Sequence, residues 1–320
     1  MRMGKIIILA VVLALALPTP IILAKEKVSL AYFFDPTWEV LFYAMREGKV
    51  KSELIDFTLH GLDIAALIQA SGTKQYDLVE GSVVGVPQAK LRGLDQIIIG
   101  IGYKPKGGRF IMVKADSPIR KPEELKKRTL AVSSIPSTAV TLLRMGLEKK
   151  FGLNVSVERG DIKWVEAPLF QLPALLEQGK VESAFLFHTP AFRLMNSKDF
   201  RIIYDEAVAF RELFGTYAIA SVILTYPERI KEKPQAIREF IRLLRASIKY
   251  SREHVEEVTQ AVARQGKLNP EFLKMYWREW GEFPATLDEG DLRTIENIWD
   301  FSKKTGIIKD YPRVNEVTWR

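Results

Sequence analysis

One unit of sequence occurs twice, and it restricts the fold more than any other feature. Residues 66–72 (ALIQASG) lead into a β-prone run at 76–79, the polar turn Glu80-Gly81-Ser82 and the triplet Pro87-Gln88-Ala89. Residues 174–179 (ALLEQG) lead into a second such run at 181–187, the turn His188-Thr189 and the triplet Pro190-Ala191-Phe192. The copies lie about a hundred residues apart, too far for a stacked solenoid and right for two similar α/β lobes. Two lobes imply a cleft.

Residues 129–154 (TLAVSSIPSTAVTLLRMGLEKKFGLN) read as a strand, a hydroxyl-rich turn (Ser133, Ser134, Ser137, Thr138) and a helix that Gly152 ends. At the carboxyl end of a parallel strand the free N–H groups and the positive end of the helix dipole face outward, which suits a small anionic or polar ligand. Ser134 or Ser137 equally fits the plain role of helix cap. The first strand, 28–34 (VSLAYFF), ends in a crowd of rings: Tyr32, Phe33, Phe34 and, past the turn Asp35-Pro36-Thr37, Trp38. Alternation sends two of these four to the core. Phe34 and Trp38, at the strand tip and the helix start, are placed to wall a ligand.

The remaining pattern divides the chain. Residues 25–114 form lobe 1, with further strands at 53–60, 97–102 and 110–114 and a helix at 61–70; residues 115–215 form lobe 2, with short strands at 163–165 and 201–204. Crossings near Ala115 and Thr216 make a hinge pair. Residues 216–320 return to lobe 1 through a buried strand at 218–224 and then turn helical. Ile237, Ile241, Leu244, Ile248, Val255 and Val258 make an apolar stripe, Asn269-Pro270-Glu271 starts a helix, Asp288 caps another and Gly306 stops it. Trp277, Trp280 and Trp299 are expected to pack these helices onto the first lobe.

Residues 1–24 read as a signal peptide or N-terminal anchor: Arg2 and Lys5 precede the apolar run 6–17, and the small residue Ala24 stands before Lys25-Glu26-Lys27. The protein is therefore expected outside the cytoplasm. Its formal charge of +8 comes from Lys and Arg interleaved with Glu, with no basic aromatic stripe, so nucleic acid is not an expected partner. No cysteine is present, which removes disulfides, thiolate chemistry and a lipidated cysteine. Three histidines without a ligand motif suggest no metal. His60 and His254 read as structural and surface residues, whereas His188, at a strand-end turn, could hydrogen-bond a ligand or act as a base. The loop 100–109 (GIGYKPKGGR) lacks the Lys-Ser/Thr of a phosphate loop. A Ser–His–Asp triad has no nucleophile elbow behind it, and Glu80 and Glu166 are either cleft or ordinary surface carboxylates.

The run 174–184 (ALLEQGKVESA), the strand–hydroxyl turn–helix at 133–152, the unit 76–93 and the late Tyr226-Pro227 followed by long helices resemble the type II periplasmic binding proteins. The similar branch comprises ABC-transporter receptors for sulfonates, taurine, nitrate and thiamine-pyrimidine precursors, and the resemblance spans about residues 28–265. It implies a two-lobed α/β fold with extra C-terminal helices and a small ligand in the cleft. By position, the ligand-binding residues become Phe34, Asp35, Trp38, Gly81, Ser82, Ser134, Ser137, Thr138, His188, Thr189 and, near the second crossing, Tyr217. The resemblance also implies a monomer that serves an ABC permease without cofactor or catalysis. Pyrimidine-synthase relatives carry a cysteine-rich motif that is missing here. A sulfonate-like anion is the expected ligand, with a heterocycle as the alternative because Asp35, if unpaired, would repel an anion. An enzyme using His188 as base and an extracellular sensory module are the readings from other classes.

Overall fold

Two β-sheets organise the computed structural model, which describes residues 24–319. The strands are β1 (Glu26–Phe33), β2 (Ile55–Leu62), β3 (Leu78–Ser82), β4 (Ile97–Pro105), β5 (Phe110–Lys114), β6 (Thr129–Val132), β7 (Lys163–Glu166), β8 (Ser183–Leu186), β9 (Phe200–Asp205), β10 (Ser221–Thr225) and β11 (Gly281–Glu282). The first sheet runs β11-β4-β10-β3-β1-β2, the second β7-β6-β8-β5-β9. In the first, β1 pairs in parallel with β2 and β3, and β10 lies antiparallel between β3 and β4. In the second, β6 pairs in parallel with β7 and β8, and β5 lies antiparallel between β8 and β9. Each sheet thus receives its inserted antiparallel strand from a crossing of the chain.

That wiring moves one boundary. Residues 110–114, expected in lobe 1, form β5 of the second sheet, so the crossing lies between β4 and β5 rather than near Ala115. A short apolar run does not specify which sheet it joins.

Local chemistry sets the helices that frame the cleft. Asp35 caps helix Pro36–Arg46, with Pro36 at the first turn. Ser137 caps helix Thr138–Phe151, accepting from the Val140 N–H at 3.3 Å, and Gly152 ends it. The second helix begins later than expected: β2 continues to Leu62, Asp63 caps helix Ile64–Thr73, and Gly72 lies inside it. A capping carboxylate three residues from a free N–H fixes that start better than hydropathy does.

Helix Pro234–Glu253 buries Ile237, Phe240, Leu244 and Ile248 and is tied to helix Pro36–Arg46 by side-chain hydroxyls. Ser247 Oγ donates to the Leu41 carbonyl at 2.6 Å and Ser251 Oγ to the Val40 carbonyl at 2.7 Å. The expected stripe breaks at His254, and Val255 and Val258 belong to the next helix, Val255–Gly266. Trp299 is fully buried and donates to the Val83 carbonyl at 2.9 Å. Trp280 departs from expectation by standing edge-on to Phe110 of β5 at 5.5 Å. It thereby packs on the second sheet's side of the crossing as well. Gly108, at φ +75°, makes room for it, since a Cβ there would sit 2.2 Å from the indole. Among the described residues no helix is long and apolar enough to cross a membrane; the N-terminal apolar run lies outside them.

Candidate ligand-binding cleft

The ends of β1, β3, β6 and β8 converge on one cavity of about 140 Å³. Phe33, Trp38, Glu80, Ser82 and Ser221 line it from the first sheet, and Ser133, Ser137, Thr138, Phe187 and His188 from the second, with Arg109 at the crossing. Side-chain contacts already join the lobes at the cleft. The hydroxyls of Ser82 and Thr138 meet at 2.7 Å, and Thr189 Oγ1 donates to Asp35 Oδ2 at 3.4 Å.

His188 is the centre of an aromatic nest. Its ring centroid lies 5.2 Å from Phe187 and Tyr276, 5.7 Å from Tyr103 and 6.1 Å from Phe33. The residue sits at φ +54°, a left-handed conformation that costs about 1–2 kcal/mol outside glycine. Burial pushes its pKa down to about 4, with Arg109 adding to the effect and Asp35 opposing it. The imidazole is therefore neutral at pH 7, and its Nδ1 has no protein partner.

Glu80 shifts the other way. Burial raises its pKa to about 7, held back by the Phe33 N–H that donates to it at 2.8 Å. Asp35 is engaged rather than free: it accepts from Thr37 N at 2.9 Å and Thr37 Oγ1 at 2.6 Å while capping its helix. The repulsive, unpaired carboxylate considered from sequence is thus replaced by a helix cap. Arg109 donates through Nε to Glu206 and through Nη2 to the Ala139 carbonyl at 3.3 Å, lying over the rings of Phe185 and Phe187. Hydroxyls, the start of helix Thr138–Phe151 and this guanidinium together suit an oxyanion, while the rings suit an apolar or flat neighbour.

The structure brings Trp38, Ser82, Ser137, Thr138 and His188 together on the cavity wall. Ser134 lines the larger space outside it. Asp35 and Thr189 meet across the lobes. Gly81 makes no wall; a Cβ there would lie 2.2 Å from Leu224 Cδ1, so its role is close packing against β10.

Two expected residues lie outside this cavity. Phe34 is 54% exposed and lies over Gly61 of β2, and it is Phe33 that lines the cavity. Side chains alternate along a strand, so one position reverses the face. Tyr217 sits between Lys106 and Arg211, with each cation over its ring at 5.7 and 5.0 Å, away from the cavity. Sequence reasoning also missed Arg109, Tyr103, Phe187 and Ser221. Arg109 stood in a glycine loop tested only as a phosphate loop, and the available signal was an arginine beside a crossing.

A family model described as "Menaquinone biosynthesis" matches residues 28–301. The chain belongs to that family. No curated protein matches it in sequence. Solved structures of low identity share this family member's fold. The periplasmic aliphatic sulphonate binding protein SsuA from Escherichia coli is 16% identical, with a TM-score of 0.73 over 93% of each chain. SsuA from Xanthomonas axonopodis pv. citri, an alkanesulfonate-binding protein solved with MOPS, is 15% identical, with a TM-score of 0.76 over 93% of this chain and 100% of that one. The desulfurization enzyme DSZB is 15% identical, with a TM-score of 0.63 over 91% and 96%. The fold is that of the periplasmic binding proteins, two α/β lobes with added C-terminal helices.

Proposed function

We propose that the protein is an extracytoplasmic solute receptor that closes its lobes on a small organic anion and delivers it to an ABC permease. The observation that carries this reading is the cavity shared by both lobes, where Ser82, Thr138, Ser137 and Arg109 surround one volume. A ligand touching all four stabilises the closed arrangement by contacts that the open one lacks, which is what shifts a population toward closure. The sulfonates bound by the structural relatives motivate the choice of anion, and the apolar run at 6–17 the extracytoplasmic location.

Trp38 lines the cavity, so binding should alter tryptophan fluorescence. Titration with taurine, alkanesulfonates, nitrate and an aminopyrimidine is expected to saturate for a sulfonate near micromolar concentration, roughly 8 kcal/mol of binding free energy. Saturation by the aminopyrimidine alone would replace the anion by a heterocycle donating to Glu80.

A second reading is favoured by the family description and by the desulfurization enzyme that shares the fold. In it the cleft is catalytic, with Glu80, whose pKa of about 7 suits proton transfer, and His188 as acid–base groups. Turnover of a captured ligand that Glu80→Gln abolishes without weakening binding would establish it.

A further inference from the structure

A second polar cavity, of about 340 Å³, lies apart from the cleft, and none of its lining residues lines the cavity between the lobes. It sits where the chain leaves the first lobe. Lys106 directly follows β4, its N–H donates to the Trp280 carbonyl at 2.8 Å, and β11 pairs alongside at Gly281 and Glu282.

Charge gives this cavity a sign. Lys106, Arg252 and Arg278 line it against one carboxylate, Glu282. Arg278 shares Glu256 with Lys274, its own distance being 3.4 Å. Among the described residues Lys106 and Arg252 have no carboxylate partner; the Lys106 ammonium lies instead over the Tyr217 ring at 5.7 Å. A helix start adds to the positive field. Helix Val255–Gly266, twelve residues long, begins on the cavity wall at Val255, and His254 before it provides no side-chain cap. Its first-turn N–H groups and the positive end of its dipole are left for an anion. The two acidic side chains of that turn are drawn elsewhere, Glu256 to Lys274 and Arg278, Glu257 to the hydroxyls of Tyr43 and Tyr250.

An unsatisfied donor stands in the same wall. Trp277 is 6% exposed and lines the cavity, and its indole N–H has no partner among the described residues. A buried donor left unpaired is costly, and an acceptor in the cavity would relieve it.

We propose that this cavity binds a phosphate group, free or carried on a larger molecule, independently of what the cleft holds. Arg252 and Arg278 offer it their planar forks, Lys106 a point charge and Trp277 a single N–H. The surplus of two positive charges on the wall matches the charge of about −1.5 to −2 that a phosphate ester carries near pH 7.

Isothermal titration of the full chain with inorganic phosphate, at an ionic strength held constant with chloride, is expected to show saturable binding. Co-sedimentation with phosphatidylglycerol vesicles, set against phosphatidylcholine ones, asks whether a lipid headgroup supplies the phosphate instead. Arg252 is exposed, and Arg252→Gln should weaken whichever binding is seen at least ten-fold. Trp277→Phe keeps the ring and loses the N–H, and should weaken it about three- to ten-fold. Lys198→Gln, an equal loss of charge on the second lobe, should leave it unchanged. Equal weakening by Lys198→Gln would reduce the effect to net charge and overturn the site. Weakening by Thr138→Val but not by Arg252→Gln would move the anion to the cleft and overturn it as well. Binding of neither phosphate nor phosphatidylglycerol vesicles would overturn it outright, without touching the solute-receptor reading.

Discussion

At the end of β3 the first lobe presents Glu80 and Ser82, and just past β8 the second presents His188 and Thr189. The two strands hold equivalent places in sheets of the same wiring, β3 parallel to β1 and β8 parallel to β6. Burial raises the pKa of Glu80 to about 7 and lowers that of His188 to about 4, so one acid and one base are both driven toward neutrality. The repeated backbone therefore conserves where a side chain meets the cleft, while each lobe chooses its own chemistry. The remaining charge, on Arg109, is matched by Glu206.

The largest break in this comparison comes from that pair. Arg109→Met leaves Glu206 buried without its partner and should destabilise the protein by about 3–5 kcal/mol, read by urea unfolding. Adding Glu206→Leu should restore most of the loss; a double variant no better than the single one would show that the pair does not act as a unit.

The two cleft groups should mirror each other in pH. Glu80 stabilises the fold fully below its unfolded value near 4.5, and that contribution is lost as pH rises toward 7. His188 contributes fully above its unfolded value near 6.5, and this is lost as pH falls toward 4. Each full swing is on the order of 3 kcal/mol, and across the shared window the slopes oppose. Glu80→Gln should therefore make stability rise with pH between about 4.5 and 6.5, and His188→Gln make it fall, as measured by denaturant midpoints. Parallel profiles in the two variants would refute the mirror relation.

Smaller effects sharpen the picture. Thr138→Val removes the hydroxyl that meets Ser82 and should weaken closure by about 1 kcal/mol, visible as a larger radius of gyration in solution scattering. Lys304→Ala removes a solvent-facing pair with Glu148 at 2.6 Å and should change stability by less than about 1 kcal/mol, read by denaturant midpoint.

Much of this was legible in the chain. The doubled helix–Gly–strand–turn unit foretold two lobes, and Ser137 and Asp288 cap helices as expected, whereas Asp35, read as a turn and ligand residue, proves to be a cap as well. What stayed hidden depends on distance along the chain. Phe110–Lys114 is apolar enough for either sheet, and only pairing with β8 and β9 decides. Phe33 and Phe34 are chemically alike, and strand parity alone separates the wall of the cleft from the exterior. Arg109 gains its meaning from Glu206, 97 residues later, a partner that no local pattern announces.

The contacts Ser82 to Thr138 and Thr189 to Asp35 bear on timing. Both are side-chain hydrogen bonds, each contributing about 1 kcal/mol, enough together to favour the shut form by roughly ten- to thirty-fold and too little to lock it. Opening then recurs on the microsecond-to-millisecond scale of domain motions, and on the proposed receptor reading a bound solute's dwell time is governed by its own grip on the walls.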